Sequence, residues 1–224
     1  MRPSVLFEDR THAGRELAGE LLALRASEPI VFALPRGGVP VAAQAARALQ
    51  APLEVLMVRK LGAPRNRELA VGALAEDGTA IVDTALAARV GLTRADIEGL
   101  LPREQRELRR QVARFRDEFD PVDVRGRTVL VIDDGLATGL SDLAAVRALR
   151  ARRAAPIIVA APVGSPEAVR MLRGEADEVI CVRIPRELLG VGRWYRDFSP
   201  VSDEAVLALL AEAGTPLPEA GRED

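Results

Sequence analysis

The chain has one cysteine, one histidine, one tryptophan and one tyrosine, and Lys60 is its single lysine. A lone cysteine excludes an intramolecular disulfide framework and fits a reducing cytoplasm. Cys181 sits in the apolar run Val179-Ile180-Cys181-Val182, which reads as a buried structural thiol. With one histidine a zinc site is short of ligands, and His12, near a helix start, reads as a structural or surface residue. No apolar run approaches the roughly 20 residues that span a bilayer. Glu8, Asp9 and Arg10 interrupt the stretch where a signal-peptide core would lie, so a cytoplasmic protein without a membrane partner is expected. A net charge of -2 supplies no basic field for nucleic acid.

What is present is core-forming material. Hydrophobic residues make up 48% and charged residues 29% of 224 residues, enough for one substantial α/β domain. A helix is expected from about Thr11 to Leu24, with Leu17, Leu21 and Leu24 on one face. Pro29 to Leu34 reads as a strand, Pro35 to Gly38 as a turn, Val39 to Leu49 as a helix and Pro52 to Arg59 as the next strand. That succession is the building block of a parallel sheet. Leu61 to Gly78 is rich in Gly, Pro, Arg and Asn and has room for a hairpin around Val71 to Ala75 and Ala80 to Asp83. From Thr93 to Phe119 the apolar residues Ile97, Leu101, Leu108, Val112, Phe115 and Phe119 recur at helical spacing. A docked surface helix with a solvated charged side is expected there, the alternative being a cap whose arginines face an anion. Parallel architecture resumes with strands at 128–132, 156–161 and 178–182 and helices at 140–151 and 165–173. A last helix covers about 202–213, and 214–224 reads as a tail.

One run concentrates the chemistry: Val129-Leu130-Val131-Ile132-Asp133-Asp134-Gly135-Leu136-Ala137-Thr138-Gly139. Four apolar residues read as a strand covered on both faces. Two carboxylates at its end point to opposite sides. The small-residue loop leads to a helix near Leu140, with Ser141 and Asp142 in its first turn. Backbone N–H groups at such a helix start suit a phosphate, and ligands of open α/β sheets bind at strand carboxyl ends. Adjacent carboxylates beside an anion cradle suggest a sugar phosphate. The loop has neither the Gly-Lys-Ser/Thr of a P-loop nor dinucleotide-loop glycine spacing.

This run resembles the phosphoribosyl-diphosphate (PRPP) binding motif of type I phosphoribosyltransferases. The resemblance implies that Asp133 and Asp134 contact the ribose hydroxyls, and that Ala137, Thr138, Gly139, Leu140 and Ser141 bind the 5′-phosphate. Leu34-Pro35-Arg36-Gly37-Gly38 follows the first core strand, where that family places a pyrophosphate loop. Two glycines let backbone approach an anion, and Arg36 supplies a forked donor. Lys60, after Arg59 at the expected end of the next strand, would be a further diphosphate ligand. The segment beyond it would be the family's mobile loop, to which Arg65 and Arg67 would contribute. Val191-Gly192-Arg193-Trp194-Tyr195-Arg196-Asp197-Phe198 is similar to the family's hood. There Trp194 and Tyr195 would either stack on a planar base or plug the core edge, and Asp197 would help arrange pyrophosphate or Mg²⁺.

The resemblance implies an α/β fold: a type I phosphoribosyltransferase-like parallel sheet flanked by helices. In that single domain the core covers about 29–60 and 128–183, a helical/loop insertion about 61–127 and the C-terminal hood about 184–200. The implied activity is Mg²⁺-dependent transfer of a phosphoribosyl group from PRPP to a nitrogenous acceptor such as a nucleobase, in nucleotide metabolism. Mg²⁺ would be held mainly through PRPP, with Asp133, Asp134 and Asp197 as candidate ligands. Family members acting on 6-oxopurines often carry an acidic residue where this chain has Ala137, so that acceptor class loses support. A non-catalytic PRPP or nucleotide sensor is the alternative, and the exposed helices leave room for a homodimer. Arg36-Gly37-Gly38-Val39-Pro40, Arg59-Lys60-Leu61-Gly62 and the acidic loop are also shared with an uncharacterised bacterial group of such proteins.

Overall fold

Ile30–Ala33 (β1) and Val129–Ile132 (β6), two runs without a polar side chain, lie side by side and parallel at the centre of the molecule. The computed structural model describes residues 7–63, 66–115 and 122–213. Leu53–Val55 (β2) flanks β1, while Ile157–Val163 (β7) and then Glu178–Arg183 (β8) extend the sheet beyond β6, giving the order β2-β1-β6-β7-β8. Every pairing in it is parallel.

Strand alternation divides the core into two layers. Ile30, Phe32, Val129, Val131, Ile157 and Val159 face one side, where they pack with Leu140–Ala151 (α5) and Pro166–Leu172 (α6). Val31, Ala33, Leu130, Ile132, Ile158 and Ala160 face the other, against Arg10–Leu21 (α1), Gly38–Leu49 (α2) and Asp203–Ala213 (α7). Both faces of the central strands are therefore dry, which is why these runs carry no polar positions. Each fully buried Leu, Ile or Val here contributes about 1.5–3 kcal/mol.

The expected strand from Pro52 to Arg59 is in fact two. β2 ends at Val55, and Val58–Ala63 (β3) belongs to a separate antiparallel sheet with Asn66–Ala75 (β4) and Ala80–Val82 (β5). The break falls at Leu56 and Met57, both buried. Leu56 N–H donates to Ala33 of the main sheet, while Met57 N–H donates to the Glu76 carboxylate, so each serves a different sheet. The Gly-, Pro-, Arg- and Asn-rich stretch 61–78 is consequently mostly strand among the described residues. Gly72 pairs with Val82 there, and its missing side chain admits the neighbouring backbone. The hairpin expected from 71–75 and 80–83 is present. Arg65, Phe119 and 214–224 lie outside the described residues.

A short helix, Thr84–Arg89 (α3), was not expected from the sequence; the Asp83 carboxylate caps it by accepting from Leu86 N–H at 2.8 Å. Arg94–Phe115 (α4) is the docked surface helix expected. Leu108 is buried against Met57, Leu61 and Leu74 of the second sheet, and Glu104 pairs with Arg59. Arg94 with Glu98 and Arg110 with Glu107 form ion pairs on its solvated side. No described helix is long and apolar enough to cross a membrane.

Candidate active site

β1 and β6 run in register, Ala33 opposite Ile132, so the loops that leave them start at the same height. From β1 the chain passes outward to β2, and from β6 it passes the opposite way to β7. The gap between these two strand ends is the topological switch point, where a parallel sheet leaves an open crevice. One side of the crevice is Arg36-Gly37-Gly38 and the start of α2. The other side is Asp133-Asp134, the loop to Gly139 and the start of α5.

The two sides touch. A β-carbon built on Gly37 would overlap Asp134 Oδ2 and lie 2.8 Å from its Cγ. One on Gly38 would lie 2.6 Å from the Ile132 carbonyl oxygen and 3.0 Å from Asp133 Cα. Glycine is required at both positions because the acidic strand end fills the space a side chain needs. The Pro35–Arg36 peptide of this loop is cis. Arg36 itself leans outward, its guanidinium 3.5 Å from Asp203 at the start of α7.

The loop after Asp134 is gripped from behind by the turn between β7 and α6. Leu136 N–H donates to Val163 and Leu136 accepts from Ser165 N–H at 2.8 Å. The Ser165 hydroxyl donates to the Ala137 carbonyl at 2.8 Å and also caps α6 by accepting from Ala168 N–H. Ala137 and Thr138 are left exposed. Gly139 adopts φ +73° and offers α5 no side-chain cap, whereas α1, α3 and α6 are capped by Asp9, Asp83 and Ser165. The α5 N-terminus, with Leu140 and Ser141 in its first turn, therefore meets the crevice with its positive dipole end uncapped by Gly139.

The electrostatics of the acidic pair are asymmetric. Asp134 Oδ2 accepts from Arg10 Nε at 2.8 Å. Asp133 Oδ1 accepts from the Asp134 backbone N–H at 2.8 Å. Burial first, and then the charges of Asp134 and Asp142, push the Asp133 carboxyl well above the usual carboxylate range; the Asp134 N–H and Lys60 oppose them. Asp142, 2% exposed, is pushed up to about 7, chiefly by burial. Its Oδ1 has no hydrogen-bond partner among the described residues. Lys60 lies within β3, exposed, rather than at a strand end, and its charge reaches both Asp133 and Asp142.

The hood is built by two distant segments. Phe7 bridges to Tyr195, with Phe7 N–H donating to Trp194 and Arg196 N–H to Phe7. Tyr195 is a plug: its ring is buried against Phe7 and Phe198, and its hydroxyl donates to the Asp134 carbonyl at 2.6 Å. Trp194 is half-buried in the same cluster. Asp197 is exposed and held below the usual carboxylate range by hydrogen bonds from the Ser199 hydroxyl and N–H. Among the described residues no three His, Cys, Asp or Glu side chains form a metal cluster.

The structure thus brings together Gly37, Gly38, Asp133, Asp134 and the 137–141 loop. Arg67 falls in β4. Arg10 and Asp142 were not singled out from sequence. By sequence, Arg10 reads as a charge interrupting an apolar start and Asp142 as an ordinary first-turn acid. Only burial and a contact across 124 positions of chain distinguish them.

The phosphoribosyl transferase domain model matches residues 8–192. A Mycobacterium tuberculosis H37Rv protein with a provisional phosphoribosyl transferase name, Rv0571c, is 42% identical over 219 residues, 98% of this chain and 49% of that protein. The chain thus spans about half the length of the curated relatives it matches. Among solved structures, TT1426 from Thermus thermophilus is 40% identical with a TM-score of 0.76, over 92% of this chain and 98% of that one. AQ2163 from Aquifex aeolicus shares the fold at 14% identity and a TM-score of 0.50, over 84% and 85% of the two chains. In sequence as in fold, the chain belongs to the phosphoribosyl transferase domain family, type I.

Proposed function

We propose that this protein binds PRPP in the β1–β6 crevice and transfers its phosphoribosyl group to a nitrogenous acceptor, releasing pyrophosphate. The observation that carries this reading is the contact of Gly37-Gly38 with Asp133-Asp134 at the switch point. It sets backbone able to approach a diphosphate beside carboxylates able to accept from ribose hydroxyls, with the α5 N-terminus, uncapped by Gly139, next to them for a phosphate. Asp133 and Asp134 hold the ribose, Ala137 to Ser141 the 5′-phosphate, and Gly37, Gly38, Arg36 and Lys60 the diphosphate.

In the reaction the ribose C1–O bond breaks and its electron pair leaves with diphosphate. The acceptor nitrogen's lone pair forms the C1–N bond, and its proton passes to water, since Ala137 offers no base. Catalysis then rests on positioning and on neutralising the leaving group, through Arg36 turning inward and through Lys60. Asp134 is engaged by Arg10, so Asp133, whose Oδ1 accepts from the Asp134 N–H, would be the carboxylate to help hold a hard cation beside the diphosphate. Mg²⁺ bound there supplies charge neutralisation of the departing diphosphate.

A second reading, a PRPP or nucleotide sensor without turnover, draws support from the outward Arg36–Asp203 contact. Incubation with PRPP, Mg²⁺ and a panel of purines, pyrimidines and simple amines, following pyrophosphate release, separates the two. Acceptor-dependent release that Asp134→Ala abolishes supports the transferase. Tight PRPP binding without release for any acceptor supports the sensor.

A further inference from the structure

We propose that Arg10 is a positioning residue: it aims Asp134 at the ribose and locks the hood over it in the same act. This rests on the transferase or PRPP-binding reading above and extends it to a residue outside the recognised motifs. One guanidinium makes three contacts with two separate pieces of the site, the acidic strand end and the hood. Nε donates to Asp134 Oδ2 at 2.8 Å, a terminal nitrogen donates to the Ser199 carbonyl at 2.8 Å, and Cζ lies over the Phe198 ring, 3.8 Å from its centroid. The Arg10 and Asp134 side chains are only 11% and 15% exposed, so the pair works with little solvent screening.

Both ends of the clamp are fixed. Arg10 opens α1 directly behind Asp9, whose carboxylate accepts from His12 N–H at 2.7 Å, and Phe7 is bridged to Tyr195. Asp134 is pressed by Gly37 and held at its carbonyl by Tyr195. A purely structural ion pair needs only some carboxylate. Here the cation takes the member of the acidic pair beside the hood and leaves Asp133 to the Asp134 N–H and to Lys60. The two carboxylates therefore have separate attendants, and the ribose site is coupled to the acceptor side through one side chain. A lysine cannot replace this fork, because one ammonium does not reach two acceptors and stack on a ring together.

The test is calorimetric binding of ribose 5-phosphate and, separately, of inorganic diphosphate with Mg²⁺. It compares the wild type, Arg10→Ala, Arg10→Lys and the exposed hood variant Arg196→Ala, with Trp194 emission reporting the hood. Loss of a charge-assisted hydrogen-bonded contact is expected to weaken ribose 5-phosphate by about 10- to 100-fold in both Arg10 variants. Diphosphate binding and the Arg196→Ala protein are expected to stay near wild type. Methylguanidinium restores part of the loss in Arg10→Ala. Arg10→Lys keeps the charge and serves if the alanine variant does not fold. Wild-type-like ribose 5-phosphate binding in a folded Arg10 variant, even with altered Trp194 emission, overturns the proposal alone. Absence of ribose 5-phosphate binding in the wild type overturns the ribose-site reading together with it.

Discussion

Gly37 packs against Asp134 with no room for a methyl group between them: a β-carbon on Gly37 would overlap the same Oδ2 that accepts from Arg10. Gly37→Ala should therefore push the Asp134 carboxylate off Arg10 and cost ribose 5-phosphate affinity while the fold persists. Gly38→Ala should be worse for the fold, because its β-carbon would meet the Ile132 carbonyl and Asp133 Cα, backbone that does not swing away. Overpacking of this kind costs about 1–3 kcal/mol. Thermal unfolding of both variants, beside the binding measurement, checks the order.

Asp142 makes stability depend on pH. Its carboxyl is pushed up from 3.8 to about 7, first by burial, so the native state holds a proton that the unfolded chain has released. Stability is therefore highest below pH 4 as far as this group goes, falls as pH rises from about 4 to 7, and is flat above that. The loss is on the order of 4 kcal/mol at most. Asp142→Asn should unfold at a higher temperature than the wild type at pH 8 and come close to it near pH 3.5, below the unfolded pKa. Equal differences at both values would mean that ionisation of Asp142 is not the cause.

Tyr195→Phe removes a buried 2.6 Å hydrogen bond to the Asp134 carbonyl and leaves that acceptor unpaired. A loss of about 1–3 kcal/mol in chemical denaturation is expected. The Trp194 emission should shift toward the red as the hood loosens. An unchanged denaturation midpoint would show that the tie is not holding the hood.

Cys181 should be nearly inert in the folded protein. Burial is the main cause that pushes its thiol up to about 12, so little thiolate exists at pH 8. A disulfide reagent such as DTNB should react slowly with the native protein and at once after denaturation. The thiol is half-buried rather than fully buried as the sequence suggests, and rapid stoichiometric labelling of the native state would contradict its desolvation.

Much of this architecture is legible along the chain. The all-apolar strands Ile30–Ala33 and Val129–Ile132 announce themselves because both faces are dry. The Ser165-Pro166 helix start and the Leu140–Ala151 helix follow from caps and periodicity. The acidic pair, its loop and the family resemblance are likewise local.

Tertiary structure decided everything that depends on distance. Pro52 to Arg59 reads as one strand because local apolarity does not tell which sheet each residue serves; Leu56 and Met57 bond to different ones. Tyr195 reads equally as a base-stacking ring or a plug until the Phe7 segment covers it. The sequence alone determined where the carboxylates, glycines and helix starts lie. Only the in-register pairing of β1 with β6, and the return of α1 onto the hood, placed Gly37 against Asp134 and Arg10 upon it, because side-chain burial and ion pairing are properties of contact in space.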